Sequence, residues 1–540
     1  MSNQPAQPTE IEAKFVCPGS ETFAQLTHSA DVLPGYLLGS RQTVRVSDVY
    51  VDTADYRLLR KGFQLRVRIQ DDGMLATLKT RGMGDAVGIF RRLEIEERLL
   101  SDGWPDRLAS FPAPILAALN GAAPKDALLQ PLCVLDQTRI VRAVTVQGAR
   151  KRGVGRRIAH MSLDELRIRH TVDGPVLARA YEIEVELDPG VDEAELAVLA
   201  DRFQGAFQLL PSTESKLERA LRVISRHPAQ APQDWQGLQP DMHMGEACRL
   251  IWQEQLMAML LSEAGVRYGT DPEHVHDMRV AIRRARAAAR LYGGYFKRKA
   301  VRGHLKRLRA TARLLGAVRD LDVAISKLER YRQKPRKRAN RELRATVEQW
   351  LARRTAAHQA LLAWLDDPRY AAFLAKFGQF CRTPGAGQVT FALATGEEMT
   401  PHQVRHVCPS MVINSFERVR SYEIWFESQA EVPVETLHRL RIECKYLRYN
   451  LEFVADLLGG DSVAMVERLR NLQDCLGDLN DAVVSKGMVA ADDPSNSGIA
   501  RYQQAQDRII ADMRKQLRDS YAAFIGADNR RALLLAVANL

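Results

Sequence analysis

The chain has 540 residues, too many for a single hydrophobic core, so two or three domains are expected. Its 46% hydrophobic and 26% charged content is that of an ordinary globular protein, and no apolar run approaches the roughly 20 residues that span a membrane. The formal net charge of +11 is unevenly placed: Arg279–Arg354 holds 25 Lys/Arg against 5 Asp/Glu, a local +20, leaving −9 for the remainder. Such a block calls for a polyanionic partner: nucleic acid, anionic lipid or polyphosphate. Met1–Thr9 is polar and lacks the basic and apolar parts of a secretion signal. The seven cysteines (17, 133, 248, 381, 408, 444, 475) form no Cys-x-x-Cys pair. That usage fits a reducing cytoplasm and speaks against a structural zinc site.

The first element is a strand, Glu10-Ile11-Glu12-Ala13-Lys14. Alternation puts Glu10, Glu12 and Lys14 on one face and Ile11, Ala13 and Phe15 on the other. A helix is expected near Glu21–Ala30, then a β-branched strand over Arg41–Val51 and a turn at Asp52-Thr53-Ala54-Asp55. Phe63–Ile69 sets Arg66 and Arg68 against Leu65 and Val67. Met74–Thr80 sets Thr77 and Lys79 against Leu78. Arg92–Arg98 sets Arg92, Glu94 and Glu96 against Leu93 and Ile95. After a Pro- and Ala-rich segment, 105–130, with a short helix, strands resume at Thr138–Val146, carrying Arg139 and Arg142. A basic turn over Arg150–Arg157 leads to Ala159–Leu163 and Asp164. Tyr181–Leu187 sets Glu182, Glu184 and Glu186 against Ile183 and Val185. A helix from Asp192 to Phe207 precedes Ser215-Lys216.

Charged pairs on one strand face recur in at least four strands, while the opposite faces are apolar. Cross-strand ion pairs on a solvated sheet explain one such strand easily, and the whole series poorly. The economical arrangement is a closed antiparallel barrel with a charged lumen, its apolar outside covered by helices. The lumen's glutamates suit a hard divalent cation, Mg²⁺ or Mn²⁺. Its arginines and lysines suit phosphate oxygens. Together they describe a metal-bound polyphosphate. No Ser/His/Asp set, Walker-type loop or G-x-G-x-x-G supports another mechanism.

In order, Glu10-Ile-Glu-Ala-Lys14, Tyr50-Val-Asp52-Thr53, Leu65-Arg66-Val-Arg68, Thr77-Leu-Lys79, Glu94-Ile-Glu96, Arg139, Asp164, Glu182-x-Glu184-x-Glu186 and Ser215-Lys216 resemble the CYTH domain, the triphosphate tunnel metalloenzyme fold, over about residues 8–225. That family includes inorganic triphosphatases, thiamine triphosphatases and a class of adenylate cyclases. The resemblance implies that Glu10, Glu12, Glu94, Glu96, Glu184 and Glu186, with Asp164, handle the metal ions. Glu10 and Glu12 would be the catalytic pair that aligns the water. Lys14, Arg66, Arg68, Lys79, Arg139 and Lys216 would cradle the phosphates. Glu182, a third glutamate where two suffice, is expected at the rim.

His227–Gln239 is rich in Pro and Gln and reads as a linker, giving domains 1–226 and 243–540 joined by 227–242. From Met242 the pattern turns helical. His276, Arg279, Arg283 and Arg286 fall at steps of 3, 4 and 3 on one helix face, and His438, Arg441, Lys445 and Arg448 repeat those steps at an offset of 162. Leu315-Gly316 with Arg319-Asp320 returns as Leu476-Gly477 with Asn480-Asp481 at an offset of 161. Two nearly equal offsets indicate an internal duplication, about 243–382 and 410–525, with a Pro/Gly-rich stretch, 383–412, between the copies. If the copies face each other, the stripes form one basic groove. His274 and His402 lie outside the stripes and read as ordinary histidines. Lys334–Arg344 reads as a solvated basic segment, and Arg530–Leu540 as a short packed helix.

These residues, with Arg309, Arg313, Asp478 and Asp481, resemble the CHAD domain, an all-helical duplicated module associated with inorganic polyphosphate. The resemblance implies polyphosphate binding by His276, Arg279, Arg283, Arg286, Arg309, Arg313, His438, Arg441, Lys445 and Arg448. The expected fold is therefore α+β multidomain: an antiparallel β-barrel tunnel with flanking helices, then an all-α duplicated bundle. The expected function is a cytoplasmic, Mg²⁺- or Mn²⁺-dependent triphosphatase acting on tripolyphosphate. Its helical half would hold inorganic polyphosphate and place the enzyme at polyphosphate granules. Two alternatives stand beside it: a non-catalytic polyphosphate receptor, and a tunnel enzyme for a nucleoside or thiamine triphosphate. No membrane partner is expected, and sparse aromatic residues along the stripes speak against nucleic acid.

Overall fold

A computed structural model describes residues 9–17, 19–28, 33–71, 73–82, 88–99, 105–119, 121–147, 155–228, 237–333, 343–389, 401–428, 431–490, 497–538 and 540. The basic segments expected around Arg150 and Lys334 lie mostly outside these residues. The chain forms two compact units, Met1–Trp235 with Glu263–Tyr268, and Gln236–Ser262 with Gly269–Leu540.

The first unit contains strands β1 (Thr9–Val16), β2 (Tyr36–Leu38), β3 (Gln42–Asp52), β4 (Phe63–Gln70), β5 (Gly73–Thr80), β6 (Ile89–Leu99), β7 (Gln130–Val146), β8 (Arg157–Arg169), β9 (Ala178–Leu187) and β10 (Leu210–Pro211). They run β1-β6-β5-β4-β3-β7-β8-β9, each pairing antiparallel with the next, and β9 pairs back onto β1. The result is the expected closed eight-stranded barrel; β2 and β10 add to its margin. The register sets Lys14 against Glu184, Glu10 against Arg92, Lys79 against Glu94 and Arg139 against Asp164. Because side chains alternate with period two, this register sends every one of these charges inward.

The outward faces are apolar and covered by helices α1 (Ser20–His28), α2 (Arg57–Arg60), α3 (Ala113–Ala118) and α4 (Glu193–Phe207). Ala13, Phe15, Ile183, Leu199 and Phe203 form one fully buried cluster, and Leu58, Val67, Leu78 and Ile115 belong to another. Strands β7 and β8 run well beyond the expected Thr138–Val146 and Ala159–Leu163, so Asp164 sits inside a strand. Pairing with two long neighbours holds the less patterned ends of these strands. Helix α5 (Lys216–Ser225) begins at a capping box: Ser215 Oγ accepts from the Glu218 amide, and Glu218 accepts from the Ser215 amide.

The turn at Asp52 is a cap for α2. The buried Asp52 carboxylate accepts from the amides of Thr53 (2.7 Å), Leu58 (2.9 Å) and Leu59 (2.8 Å). Burial pushes its pKa up to about 6 even though those three amides favour the charged form. Asp52→Ala strands three donors, and we expect urea melts to show a loss of about 2–3 kcal/mol, with Asp52→Asn recovering part of it. A loss under about 0.5 kcal/mol would show that the cap is dispensable.

The named elements of the second unit are helices: α6 (Met244–Tyr268, whose last six residues belong to the first unit), α7 (Glu273–Tyr292), α8 (Arg298–Arg332), α9 (Arg344–Leu365), α10 (Pro368–Arg382), α11 (Val404–Arg420), α12 (Glu423–Ser428), α13 (Val434–Phe453), α14 (Ala455–Leu458), α15 (Gly460–Ala490), α16 (Ser497–Ile525) and α17 (Ala527–Ala538). The duplicated motifs fall on α7 and α8 in the first copy and on α13 and α15 in the second. Part of the stretch expected to separate the copies is helix α11. Its apolar face (Val404, Val407, Cys408, Val412, Phe416) is buried, which outweighs the single Pro409. Tyr292 Oη donates to Asn450 Oδ1 at 2.9 Å, so a buried hydrogen bond ties α7 to α13.

Candidate functional site

The barrel lumen holds a cavity of about 200 Å³ whose lining includes Glu10, Lys14, Arg66, Arg68, Lys79, Arg92, Glu94, Glu96, Arg139, Glu184, Glu186 and Lys216. Depth orders the carboxylates. Along β9, Glu182 is fully buried, Glu184 nearly so and Glu186 exposed; along β6, Glu94 is half-buried and Glu96 exposed. The lumen therefore has a closed end near Glu182 and an open mouth at Glu96 and Glu186.

Cations crowd the closed end. The Lys14 ammonium touches Glu184 and lies 3.3 Å from Glu12 and 3.7 Å from Glu182. Arg139 grips Asp164 with two bonds of 2.8 Å and reaches Glu184 at 2.8 Å. Lys216 lies 2.5 Å from Asp164 and 2.8 Å from Glu184. Burial alone would raise the Glu184 pKa, but Lys14, Lys216 and Arg139 outweigh it and hold this carboxyl well below the usual range. On the other wall, Arg66 (3.0 Å) and Arg68 (2.8 Å) share Asp48, and Gln137 also bonds to it.

The mouth is poorer in cations. Lys79 bridges Glu10 (2.9 Å) and Glu94 (3.0 Å), and Arg92 reaches Glu10 at 2.9 Å and touches Glu12. Glu96 accepts a bond from Thr77 (3.1 Å), and among the described residues neither Glu96 nor Glu186 has a basic side chain at ion-pair distance. Partial burial first, then the like charges of Glu10 and Glu12, push the Glu186 pKa up to about 7.

This donor set fits a divalent cation. Hard oxygen ligands (Glu10, Glu94, Glu96, Glu186) converge from β1, β6 and β9 where negative charge is in excess. Among the described residues no three acidic, His or Cys side chains already stand at metal-binding spacing. Lys79 and Arg92 instead draw Glu10 and Glu94 aside.

In the second unit the two stripes meet. One cavity of about 340 Å³ is lined by His276, Arg279, Arg283 and Arg319 from the first copy and His438, Arg441, Lys445 and Asn480 from the second. A second cavity, about 510 Å³, shares Arg283 and Lys445 with it and adds Arg286, Arg290 and Arg309. Burial and then Arg441, Arg283, Arg279 and Arg448 push the Lys445 pKa down to about 7. Gly316 on α8 backs the Arg279 side chain, and Gly477 on α15 backs Arg441, each with about a van der Waals contact to where a Cβ would stand. The repeated Leu-Gly dipeptide thus sits behind the repeated arginine. Two acids line the same cavity as His276 and His438: Asp320 lies 3.8 Å from Arg279, and Asp481 lies 3.9 Å from Lys327.

Most expected residues are brought together, with five exceptions. Glu182, expected at the rim, is at the closed end with Arg219 3.2 Å away; β9 enters from the other direction, so its first glutamate is the deepest. Glu12 and Asp164 stand behind the lining, each between two cations. Arg313 and Arg448 lie outside both helical linings. Conversely, Arg92 lines the lumen, as its shared face with Glu94 and Glu96 foretold. Asp48, Gln64, Ser162 and Arg219 were missed, because single polar residues carry no paired-charge signal.

A closed antiparallel barrel with this lumen defines the class: residues 8–221 match the family model of the CYTH domain. Residues 250–490 match that of the CHAD domain, so the chain contains a CYTH domain followed by a CHAD domain. Among solved structures, the CHAD domain from the plant Ricinus communis is 24% identical, with 54% of this chain and 94% of that one covered and a TM-score of 0.43. A putative adenylyl cyclase from Hippeastrum, reported to have a dominant triphosphatase activity, is 19% identical over 39% of this chain and 94% of its own, with a TM-score of 0.29. The Mimivirus capping enzyme triphosphatase is 14% identical, with coverages of 37% and 90% and a TM-score of 0.21. No curated protein matches the chain. Among the described residues no helix is long and apolar enough to cross a membrane.

Proposed function

We propose that the first unit is an inorganic triphosphatase that converts tripolyphosphate and water into diphosphate and phosphate, and that the second unit binds inorganic polyphosphate. One observation carries the reading: the lumen keeps its cations deep and, among the described residues, leaves Glu96 and Glu186 at its mouth without a basic side chain at ion-pair distance. A pure anion receptor has no use for the second feature.

Lys14, Arg66, Arg68, Lys79, Arg139 and Lys216 hold the phosphate oxygens. Glu10, Glu94, Glu96 and Glu186 would hold Mg²⁺ or Mn²⁺, with Glu184 nearest them in depth. When bound, the ion neutralises charge on the phosphate oxygens and lowers the barrier to attack by water. Glu10 orients the water. Burial opposes its ionisation, but Lys79 and Arg92 outweigh it and keep it a carboxylate. The water oxygen bonds to the terminal phosphorus, the bond to the bridging oxygen breaks, and diphosphate leaves with that electron pair. The water's proton leaves to solvent through the open mouth. Glu12 and Asp164 are positioning residues: the first fixes Lys14 and Arg92, the second Arg139 and Lys216. The helical unit holds the enzyme on polyphosphate, in granules where these form, and raises the local concentration of substrate chains.

The test is phosphate release from tripolyphosphate, ATP and thiamine triphosphate, with Mg²⁺ or Mn²⁺, for the wild type, Glu10→Gln and Glu12→Gln. We expect fast release from tripolyphosphate and a loss of roughly 100-fold or more in both variants. Triphosphate binding with no release from any of the three substrates would leave a receptor instead of an enzyme.

A further inference from the structure

The 510 Å³ cavity of the helical unit has a lining that a phosphate chain does not explain. Beyond its arginines it presents Ala287, Leu305, Ile442, Tyr446 and Tyr449. Inorganic polyphosphate is uniformly charged and gains nothing from apolar walls. The volume falls within the roughly 300–1,000 Å³ of small-molecule pockets, which are mostly apolar with a few placed polar groups. The cavity also continues into the basic groove, because Arg283 and Lys445 line both. Flat surfaces are already present. The Arg290 guanidinium lies over the Tyr446 ring at 4.0 Å, and Tyr449 is buried with its hydroxyl accepting from Arg283 Nε at 2.6 Å. A phenol–guanidinium stack is a surface onto which a further planar ring packs.

We infer that this unit binds a nucleoside polyphosphate. The base enters the apolar cavity beside Tyr446, and the phosphates run past Arg283 and Lys445 into the basic groove. The inference rests on the proposed phosphate-binding role of that groove. It adds a head-group site, so that a chain ending in an aromatic nucleoside is distinguished from a bare one.

The experiment is equilibrium dialysis of the full-length protein with radiolabelled ATP in EDTA, at fixed salt. The proteins compared are the wild type, Lys14→Ala to disable the barrel lumen, and Tyr446→Ala and Ala289→Leu in the helical cavity. Tyr446→Ala removes the aromatic surface, and Ala289→Leu fills the space without removing any group. We expect ATP binding to persist in Lys14→Ala and to weaken at least tenfold in both cavity variants, while long-chain polyphosphate still binds them as it binds wild type. ATP binding that disappears in Lys14→Ala, or that is unchanged in Tyr446→Ala and Ala289→Leu, overturns the inference. Binding of anionic phospholipid vesicles to the helical unit with no binding of ATP would overturn it in favour of a lipid phosphate. Binding of long-chain polyphosphate to the wild type, read separately, tests the groove itself and distinguishes failure of that reading from failure of the head-group site.

Discussion

Lys14→Ala is expected to stop tripolyphosphate hydrolysis and to unfold the first unit at a distinctly lower temperature. The Lys14 ammonium is buried among Glu12, Glu182 and Glu184. Burial alone would strip its proton, but Glu12 and Glu184 outweigh burial and raise its pKa above the ordinary 10.5. Removing one partner of a buried ion cluster leaves the others uncompensated and costs about 3–5 kcal/mol. For a unit of this size each kcal/mol moves the midpoint by about 2–4 °C, so we expect a fall of about 6–20 °C at pH 7. The sign follows from both partners. A lysine with a raised pKa contributes stability that is fully present below 10.5 and lost only above it. A carboxylate held down, as Glu184 is, contributes stability that is present above its ordinary 4.5 and lost as pH falls below it. The gap between wild type and variant is therefore widest from about pH 5 to 10 and narrows in acid. Melting curves across that range, read with phosphate release, check both parts. A variant that melts within 2 °C of wild type at pH 7 and still turns over would refute the placement of Lys14 at the centre of the lumen.

Lys445→Met is expected to act in opposite senses on stability and on ligand binding. Lys445 is half-buried, and the main influences on it (burial and four arginines) all disfavour its charge. Discounted for its partial exposure, removing that charge stabilises the ligand-free helical unit by about 1–2 kcal/mol at neutral pH. The same charge is one that a polyanion would satisfy, so polyphosphate affinity falls by roughly tenfold and its salt dependence flattens. A pH dependence accompanies this. Free Lys445 loses its proton near pH 7, whereas bound polyanion returns its pKa toward the ordinary value. Polyphosphate affinity of the wild type should therefore decline as pH rises from 7 to 9, and Lys445→Arg, charged throughout, should not follow it. Calorimetry of binding in buffers of different ionisation enthalpy reads the proton uptake directly. An affinity in wild type that is flat with pH over this interval, with no proton taken up, rules out the coupling.

The competition seen at Lys445 applies to the whole groove. Arg279, Arg283, Arg441 and Lys445 come from two helices whose stripes face one another, so the unit carries repulsion that a bound polyanion would relieve. The barrel differs. There each deep cation is matched by a carboxylate, and a bound triphosphate would have to exchange partners with Asp48, Asp164 and Glu184.

The sequence alone determined that the first half is a closed barrel with charge inside. Period-two alternation and hydrophobic burial leave no other place for E-x-E and R-x-R pairs whose opposite faces are apolar, and residues such as Glu10, Lys14, Arg66, Lys79 and Glu94 were legible for that reason. It also determined the helical duplication, because a fixed offset between stripes survives any arrangement of the copies. Tertiary structure decided depth and pairing. Whether Glu12 lines the lumen or stands behind it, whether Glu182 is at the rim or the closed end, and which arginine meets Asp48 depend on shear and strand direction around the barrel, which a single strand's pattern does not encode. The apolar cavity beside the groove is of the same kind. Leu305, Ile442 and Tyr446 lie on three turns of two distant helices, and only their packing makes them one surface.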